Sequence, residues 1–369
     1  MSNYVYSSSP HVKSPRTTRG IMIDVCIALL PACIAGCVLL GLAEARLGWL
    51  SLLVLAIACL TAVAAEFIYL LCCKKKFTDI LRNFDFSSLV TGMLVGMNMY
   101  ATSKWYAVML ASVFAIVIVK MLFGGTGKNI VNPAIAGRIF AFIAFGAAFG
   151  GSMAFDERVL SPVDYKYIET GATPLQAIFQ GKESSLTNLD LFLGTGVPGC
   201  IGEICKLALI AGGIYLVVRG VLNFRWPLVY IAVTGVVSVL IFWIDSCYVD
   251  GKFVSQLMGS RFVSALETFL PSILSGGLIL GAIFMATDYV TTPDTKLGNY
   301  IYFALLGVLT AVLRKAVKGE AVSFAILLMN LLVPLFDRYI RRRPFGYVKP
   351  VKEKKVKEEV GGQAVLGRQ

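Results

Sequence analysis

The stretch "IMIDVCIALLPACIAGCVLLGLA" occupies residues 21–43, and it decides the class of fold. A helix needs about 20 consecutive apolar residues to cross a hydrocarbon layer roughly 30 Å thick, and this run is long enough. Backbone N–H and C=O groups find no water in that layer, so only helices or a closed barrel cross it. The run is continuous, which specifies a helix. Barrel strands would show as short segments of alternating hydrophobicity.

The same pattern recurs outward from that run. Of 369 residues, 57% are hydrophobic and 15% charged, with a mean hydropathy of +0.75. These fractions lie well outside those of an ordinary soluble domain. Further apolar runs fall at about 48–73, 86–99, 105–123, 131–149, 201–219, 227–245, 269–286, 299–314 and 321–339, the third of them short. The expected fold is therefore an all-α integral membrane protein of about ten transmembrane helices. No apolar core precedes Ile21 in the polar, basic "MSNYVYSSSPHVKSPRTTRG", so the first span is expected to stay in the mature protein.

The net charge of +12 comes mainly from "SPRTTRG", "CCKKK" and "DRYIRRRPFGYVKPVKEKKVK". These are span flanks and a tail, the bias of cytoplasmic segments rather than a nucleic-acid footprint. With the N-terminus inside, Lys74, Lys75, Lys76, Arg82, Lys128, Arg219, Arg225 and Arg341 to Arg343 fall on the inner side. The acidic 150–200 segment, with Asp156, Glu157, Asp164, Glu169, Glu183 and Asp190, then falls outside. Arg314, Lys315 and Lys318 run against the pattern, which makes the last hairpin the weakest part of this topology. The nine cysteines form no CxxC and the one histidine is His11, which argues against a zinc or iron–sulfur site built by this chain alone. Most of those cysteines lie in apolar spans, as small hydrophobes.

A repeat is also visible. "SSLVTGMLVGM" (87–97) resembles "PSILSGGLILGAIFM" (271–285), and each falls in the third span of its half; "GGTGKNIVNPA" has a looser echo in "VKGEAVSFAILLMNLLVP". Two sets of five spans have opposite orientations because five is odd. The expected organisation is a cytoplasmic segment 1–20, a five-helix repeat 21–149, an extracytoplasmic loop 150–200, an inverted five-helix repeat 201–340, and a basic tail 341–369. Inverted repeats place sites near the midplane, around interrupted helices. Against this stands the plain fact that Gly, Ser and Leu recur in any membrane helix.

In the long outer loop stands "ETGATPL" (169–175), small and neutral in a chain otherwise written in Leu, Ile, Val, Ala and Phe. Thr170 and Thr173 flank Gly171 and Ala172, and Pro174 biases Thr173 towards extended backbone. An extended threonine with minimal neighbours suits entry into another enzyme's active site and modification of its hydroxyl. An ordinary turn would read the same way, so composition leaves the question open.

Five pieces in order, "SPHVKSPRTTRGIMIDVCIALLPA", "GGTGKNIVNPAIAGRIF", "ETGATPL", "GEICKLALIAGGIYLVVR" and "GAIFMATDYVTTP", resemble the D subunits of the Rnf ion-translocating oxidoreductases. Those are related to the B subunit of the sodium-pumping NADH:quinone reductase. The resemblance covers about 10 to 340. It implies FMN joined through its phosphate to the hydroxyl of Thr173, installed from FAD by a flavin transferase, with Thr170, Gly171 and Ala172 completing the [ST]-G-A-T motif. The wider motif often has an acid three residues before the first hydroxyl, where this chain has Tyr167. It further implies a second, non-covalent flavin, riboflavin, with no residue assigned; the other membrane and peripheral subunits of the complex; coupling to Na⁺ or H⁺; and the lipid of a bacterial or archaeal cytoplasmic membrane. In such a complex, oxidation of ferredoxin and reduction of NAD drive ion export. This chain has no GxGxxG, so both substrates are expected on other subunits.

Further polar residues need a reason to lie in or beside spans. Glu66 in span two is a functional candidate by default, or else a boundary residue paired with a nearby Lys or Arg; Lys120 and Arg138 would each suit neutralising a flavin or a carboxylate, and are equally placed to snorkel. Asn132-Pro133 and Asp288 stand at span ends and would suit an ion or second-flavin site at a broken helix, or plain capping. The rival reading is a secondary transporter or channel with the same repeat and no redox chemistry. A third is a structural membrane anchor.

Overall fold

The structure, a computed structural model, describes residues 16–146, 187–195, 199–249, 252–253, 258–317 and 320–340. Five helices in it are long and apolar enough to cross a membrane: α1 (Thr18–Ala43), α2 (Ala45–Cys72), α9 (Arg225–Ser246), α13 (Lys296–Val317) and α14 (Val322–Tyr339). A sixth candidate is a bent pair, a broken span or a re-entrant loop, in which residues 261–274, covering α10 (Met258–Glu267) and α11 (Phe269–Leu274), turn by 60° into α12 (Leu278–Met285). Four shorter apolar helices complete the bundle: α4 (Ser87–Met97), α5 (Trp105–Met121), α6 (Pro133–Ala144) and α8 (Lys206–Val218). Between them lie the short α3 (Phe77–Arg82) and α7 (Asn188–Leu193), and a two-residue hairpin pairing Tyr248–Val249 with Lys252–Phe253.

The run at 86–99, short in the sequence, is short in the structure too, where α4 has 11 residues, whereas 131–149 and 201–219, expected as spans of about 20 residues, contain helices of 12 (α6) and 13 (α8) residues. At 1.5 Å per residue such helices reach only about 16–20 Å. The difference lies in what starts and stops them. Phe86 at φ 62° begins α4, Asn132 caps α6 with its side chain on Ala134 N–H, and Ser275 to Gly277 break the approach to α12. Polar and glycine residues that composition averages into an apolar run are therefore element boundaries.

Contacts fix the two ends of the bundle. At the amino-terminal end, Arg16 donates to Gly220 O, Arg219 pairs with Asp24 at 3.1 Å, Tyr289 OH donates to Val221 O, and Arg19 lies over the Phe86 ring. At the far end, Lys315 pairs with Asp245 and Arg261 donates to Ser246 O. Arg314 and Lys315, which ran against the charge pattern, are thus provided for at the far end, one buried and one paired.

Close backbone approach holds the short helices in place. A Cβ on Gly92 of α4 would lie 2.8 Å from Cys59 Cα and 2.9 Å from Ala58 O of α2. Gly96 follows one turn later against Leu55 and Ala58, a small-xxx-small contact of the kind that packs helices where lipid offers no hydrophobic drive. α4 is buried along nearly its whole length, so it is a core element with no lipid-facing stripe. Two stretches are π-helical: Phe114–Met121, the second half of α5, and Gly281–Met285, the end of α12. Such wide turns frequently occur at functional sites.

Candidate functional site

Two buried charge clusters stand at the starts of the two short central helices. At the start of α4, Lys120 Nζ lies 3.1 Å from Glu66 Oε1, 3.2 Å from Glu66 Oε2 and 2.6 Å from Ser87 Oγ. Glu66 is 6% exposed and Lys120 2%. Ser87 Oγ in turn meets Asp85 Oδ1 and, at 3.0 Å, Thr126 Oγ1, which donates to Asp85 Oδ2 at 2.7 Å. A continuous hydrogen-bonded chain therefore runs from buried Glu66 to exposed Thr126. A cation at a helix N-terminus opposes the helix dipole, and the carboxylates of Glu66 and Asp85 offset it. Asp85 also accepts the Ser87 N–H at 3.0 Å. Burial raises the Asp85 pKa, but hydrogen bonds from Ser87 and Thr126 and the charge of Lys120 outweigh it and hold the carboxyl below its ordinary value.

The second cluster surrounds the start of α12. One carboxylate, Glu320, accepts from Gly277 N–H at 3.0 Å and from Val322 N–H at 3.3 Å, so it joins the N-termini of α12 and α14. Gly276, at φ 70°, must be glycine here twice over, since a Cβ would also run into Glu320 Oε2. Arg314, fully buried, donates to Ser272 O at 2.7 Å and Ser275 O at 3.2 Å. Arg138 donates to Asn98 Oδ1 at 2.8 Å, Ser323 Oγ at 3.1 Å and Glu203 Oε1 at 3.4 Å, and Lys206 Nζ bonds Glu203 O. Isolated charges in such surroundings cost several kcal/mol each, which the mutual pairing offsets.

Between the clusters the ends of α4 and α12 meet. Asn98 Nδ2 approaches Met285 Sδ at 3.8 Å, and Asn132 Nδ2 donates to Met285 O at 3.1 Å. Asp288 follows in the loop at the amino-terminal end. Burial raises its pKa, and hydrogen bonds with Val290, Thr291 and Asn129 only partly offset that.

The structure thus brings Glu66 together with Lys120, and Asn132 to the α12 terminus that leads into Asp288; Arg138 belongs to the other cluster. Neither Lys120 nor Arg138 snorkels, since both are buried. Thr170, Gly171, Ala172 and Thr173 lie outside the described residues. Sequence reasoning passed over Ser87, Asp85, Asn98, Glu203, Lys206 and Glu320. "GEICK" carried a usable signal, an acid and a lysine three residues apart at the head of an apolar run. Among the described residues no group of His, Cys, Asp or Glu is arranged to hold a metal ion.

Paired buried charges around the two short central helices narrow the chemistry without naming it. The sequence pattern of the NQR2, RnfD, RnfE family matches residues 5–346. The chain belongs to that family. It is 35% identical over 356 residues to the D subunit of the Na(+)-translocating ferredoxin:NAD(+) oxidoreductase complex of Acetobacterium woodii, covering 96% of this chain and 98% of that one. It is 32% identical to the D subunit of the proton-translocating ferredoxin:NAD(+) oxidoreductase complex of Clostridium ljungdahlii, covering 93% and 96%. With the D subunit of the ion-translocating oxidoreductase complex of Alcanivorax borkumensis it shares 29% identity, over 93% and 97%. As an NQR2, RnfD, RnfE protein it is a multi-pass membrane protein.

Proposed function

We propose that this chain is the D subunit of a membrane complex that couples electron transfer between ferredoxin and NAD to transport of Na⁺ or H⁺, and that it carries FMN esterified to Thr173. The observation that carries this reading is full-length likeness to proteins of that name, together with "TGAT" at 170–173. FMN exchanges electrons singly or in pairs, which suits a relay between unlike carriers. The chain's own contribution is to hold the phosphate on the Thr173 oxygen in a loop outside the membrane, with Gly171 and Ala172 leaving room for the transferase. A second, non-covalent flavin, riboflavin, is part of the proposal without assigned residues.

The ten-span inverted repeat is likewise proposed. Six candidate crossings and four shorter apolar helices add to ten among the described residues. Lys120 and Arg314 support the inversion. Each ends the fourth helix of its half, and each lies against the start of the buried short helix, near Ser87 in one half and the carbonyls of Ser272 and Ser275 in the other. An acid accepts a backbone N–H at each start, Asp85 for α4 and Glu320 for α12. The amino-terminal end is taken as cytoplasmic from its basic loops.

The bent pair and the buried polar contacts of Asn98 and Asn132 also suit a solute transporter without redox chemistry. Covalent flavin separates the two. A denaturing gel viewed under ultraviolet light should show a fluorescent band for the wild type and none for Thr173→Val, which keeps the shape and removes the oxygen. Equal fluorescence in both would end the assignment.

A further inference from the structure

At the amino-terminal end α2 runs out through Cys72, and Lys74 turns the chain sharply at φ 60°. That left-handed conformation is uncommon for a residue other than glycine. After the turn α3 packs against the end of α2, with Phe77 against Phe67. Ile80 of α3 is buried, whereas Phe77 and Leu81 are 56% and 51% exposed. At spacing i and i+4 they lie on one face. Lys74, Lys75, Lys76 and Arg82 are all exposed, and none forms an ion pair among the described residues. The one acid within residues 74–82 is Asp79.

This surface continues the exposed apolar side of α2, where Phe67 meets Phe77. Leu60, Ile68 and Leu71 are exposed along that helix and lead to the apolar pair of α3. A patch that joins an exposed apolar stripe, exposes two large apolar side chains and carries four cations without an ion pair among the described residues fits the zone where acyl chains meet headgroups. Such basic clusters beside a membrane helix attract anionic lipid at about 1 kcal/mol per Lys or Arg.

We propose that residues 74–82 bind an anionic phospholipid of the adjoining leaflet. Phe77 and Leu81 enter the acyl boundary, and Lys74, Lys75, Lys76 and Arg82 bind the phosphate headgroup. The occupant is lipid rather than a protein partner because four cations stand together at the end of a helix long and apolar enough to cross a membrane, beside exposed apolar side chains, which is the order of headgroup and acyl chain. The site also has a structural consequence. Phe67 of α2 contacts both Phe77 and Phe84, and the segment after α3 leads directly to Asp85 and Ser87. Lipid held here would steady the mouth of the Glu66–Lys120 chain.

The test uses the full chain reconstituted in phosphatidylcholine with trace spin-labelled lipid. The wild type should immobilise labelled phosphatidylglycerol in preference to labelled phosphatidylcholine, less so in high salt. Replacing the four cations with Gln should lower that preference at least about fivefold, while replacing Lys74, Lys75 and Lys76 with Arg should keep it. Phe77→Ser with Leu81→Ser should shrink the immobilised fraction of both lipids. The proposal is overturned if the wild type shows no preference, if the Gln variant keeps it while eluting as a folded protein, or if the cations are shielded only when other subunits are bound, irrespective of lipid charge. None of these readouts depends on flavin, so the outcome is independent of the Thr173 assignment.

Discussion

Lys120 Nζ sits 3.1 Å from Glu66 Oε1, both side chains almost wholly buried, across 54 residues of sequence. Removing one partner of such a pair strands the other charge, at about 3–5 kcal/mol. Lys120→Met should therefore destabilise the solubilised chain strongly, and Glu66→Gln with Lys120→Met should recover most of the loss. Thermal unfolding of the single and double variants checks this. Equal losses in both would remove the pairing from the account.

If the chain of bonds from Glu66 to Thr126 serves ion movement, Glu66→Gln should leave covalent flavin intact and lower ion-coupled turnover. Flavin content and ion uptake in vesicles holding the assembled complex are the two readings. Normal uptake at equal assembly would make the pair purely structural.

Asp85 gives the pH dependence a sign. Its folded pKa lies below the ordinary carboxylate value, so the unfolded chain binds the proton more readily. The stability it contributes is present above the ordinary value of about 3.9 and is lost as pH falls through the folded value. Wild type should thus be more stable than Asp85→Asn at neutral pH, with the gap closing in acid. Melting temperatures of the two across that range measure it, and a constant gap would contradict it.

Gly92→Leu should separate α4 from α2, because even a Cβ meets Cys59 Cα at 2.8 Å. Overpacking of this kind costs typically about 1–3 kcal/mol. A matched change at exposed Ile68, to Leu, should be near neutral. Thermal unfolding of both variants would decide.

The orientation predicts its own labelling pattern. In a background without native cysteines, single cysteines at Ser161 and Ser184 should react with a membrane-impermeant thiol reagent in spheroplasts, and one at Ser8 should not. The reverse pattern would invert the topology.

The sequence made the helical membrane class legible because continuous apolar length is a property of composition, and it flagged Glu66, Lys120 and Arg138 because ionisable groups there are expensive. It did not show which of these pair. Glu66 finds Lys120 only through the packing of α2 on α5, and Arg138 finds Glu203 only because α6 passes the head of α8. The runs 131–149 and 201–219 hold helices shorter than the runs themselves, because Asn132 caps the start of one and a separate turn at Ile201–Glu203 precedes the other. Arg314 looked like an error of topology because charge counting cannot see carbonyls such as those of Ser272 and Ser275.

The wide turn of Phe114–Met121 makes the reading frame of α5 itself part of the site. Hydrogen bonds that close one residue later than in an α-helix accommodate a surplus residue, and each residue advances a helix by about 100°. Deleting one exposed residue there, Ile118 for instance, would remove that surplus and let the stretch rewind as α with its flanks in register, whereas inserting one more would turn Lys120 away from Glu66. This stretch should therefore tolerate the loss of one residue far better than the gain of one.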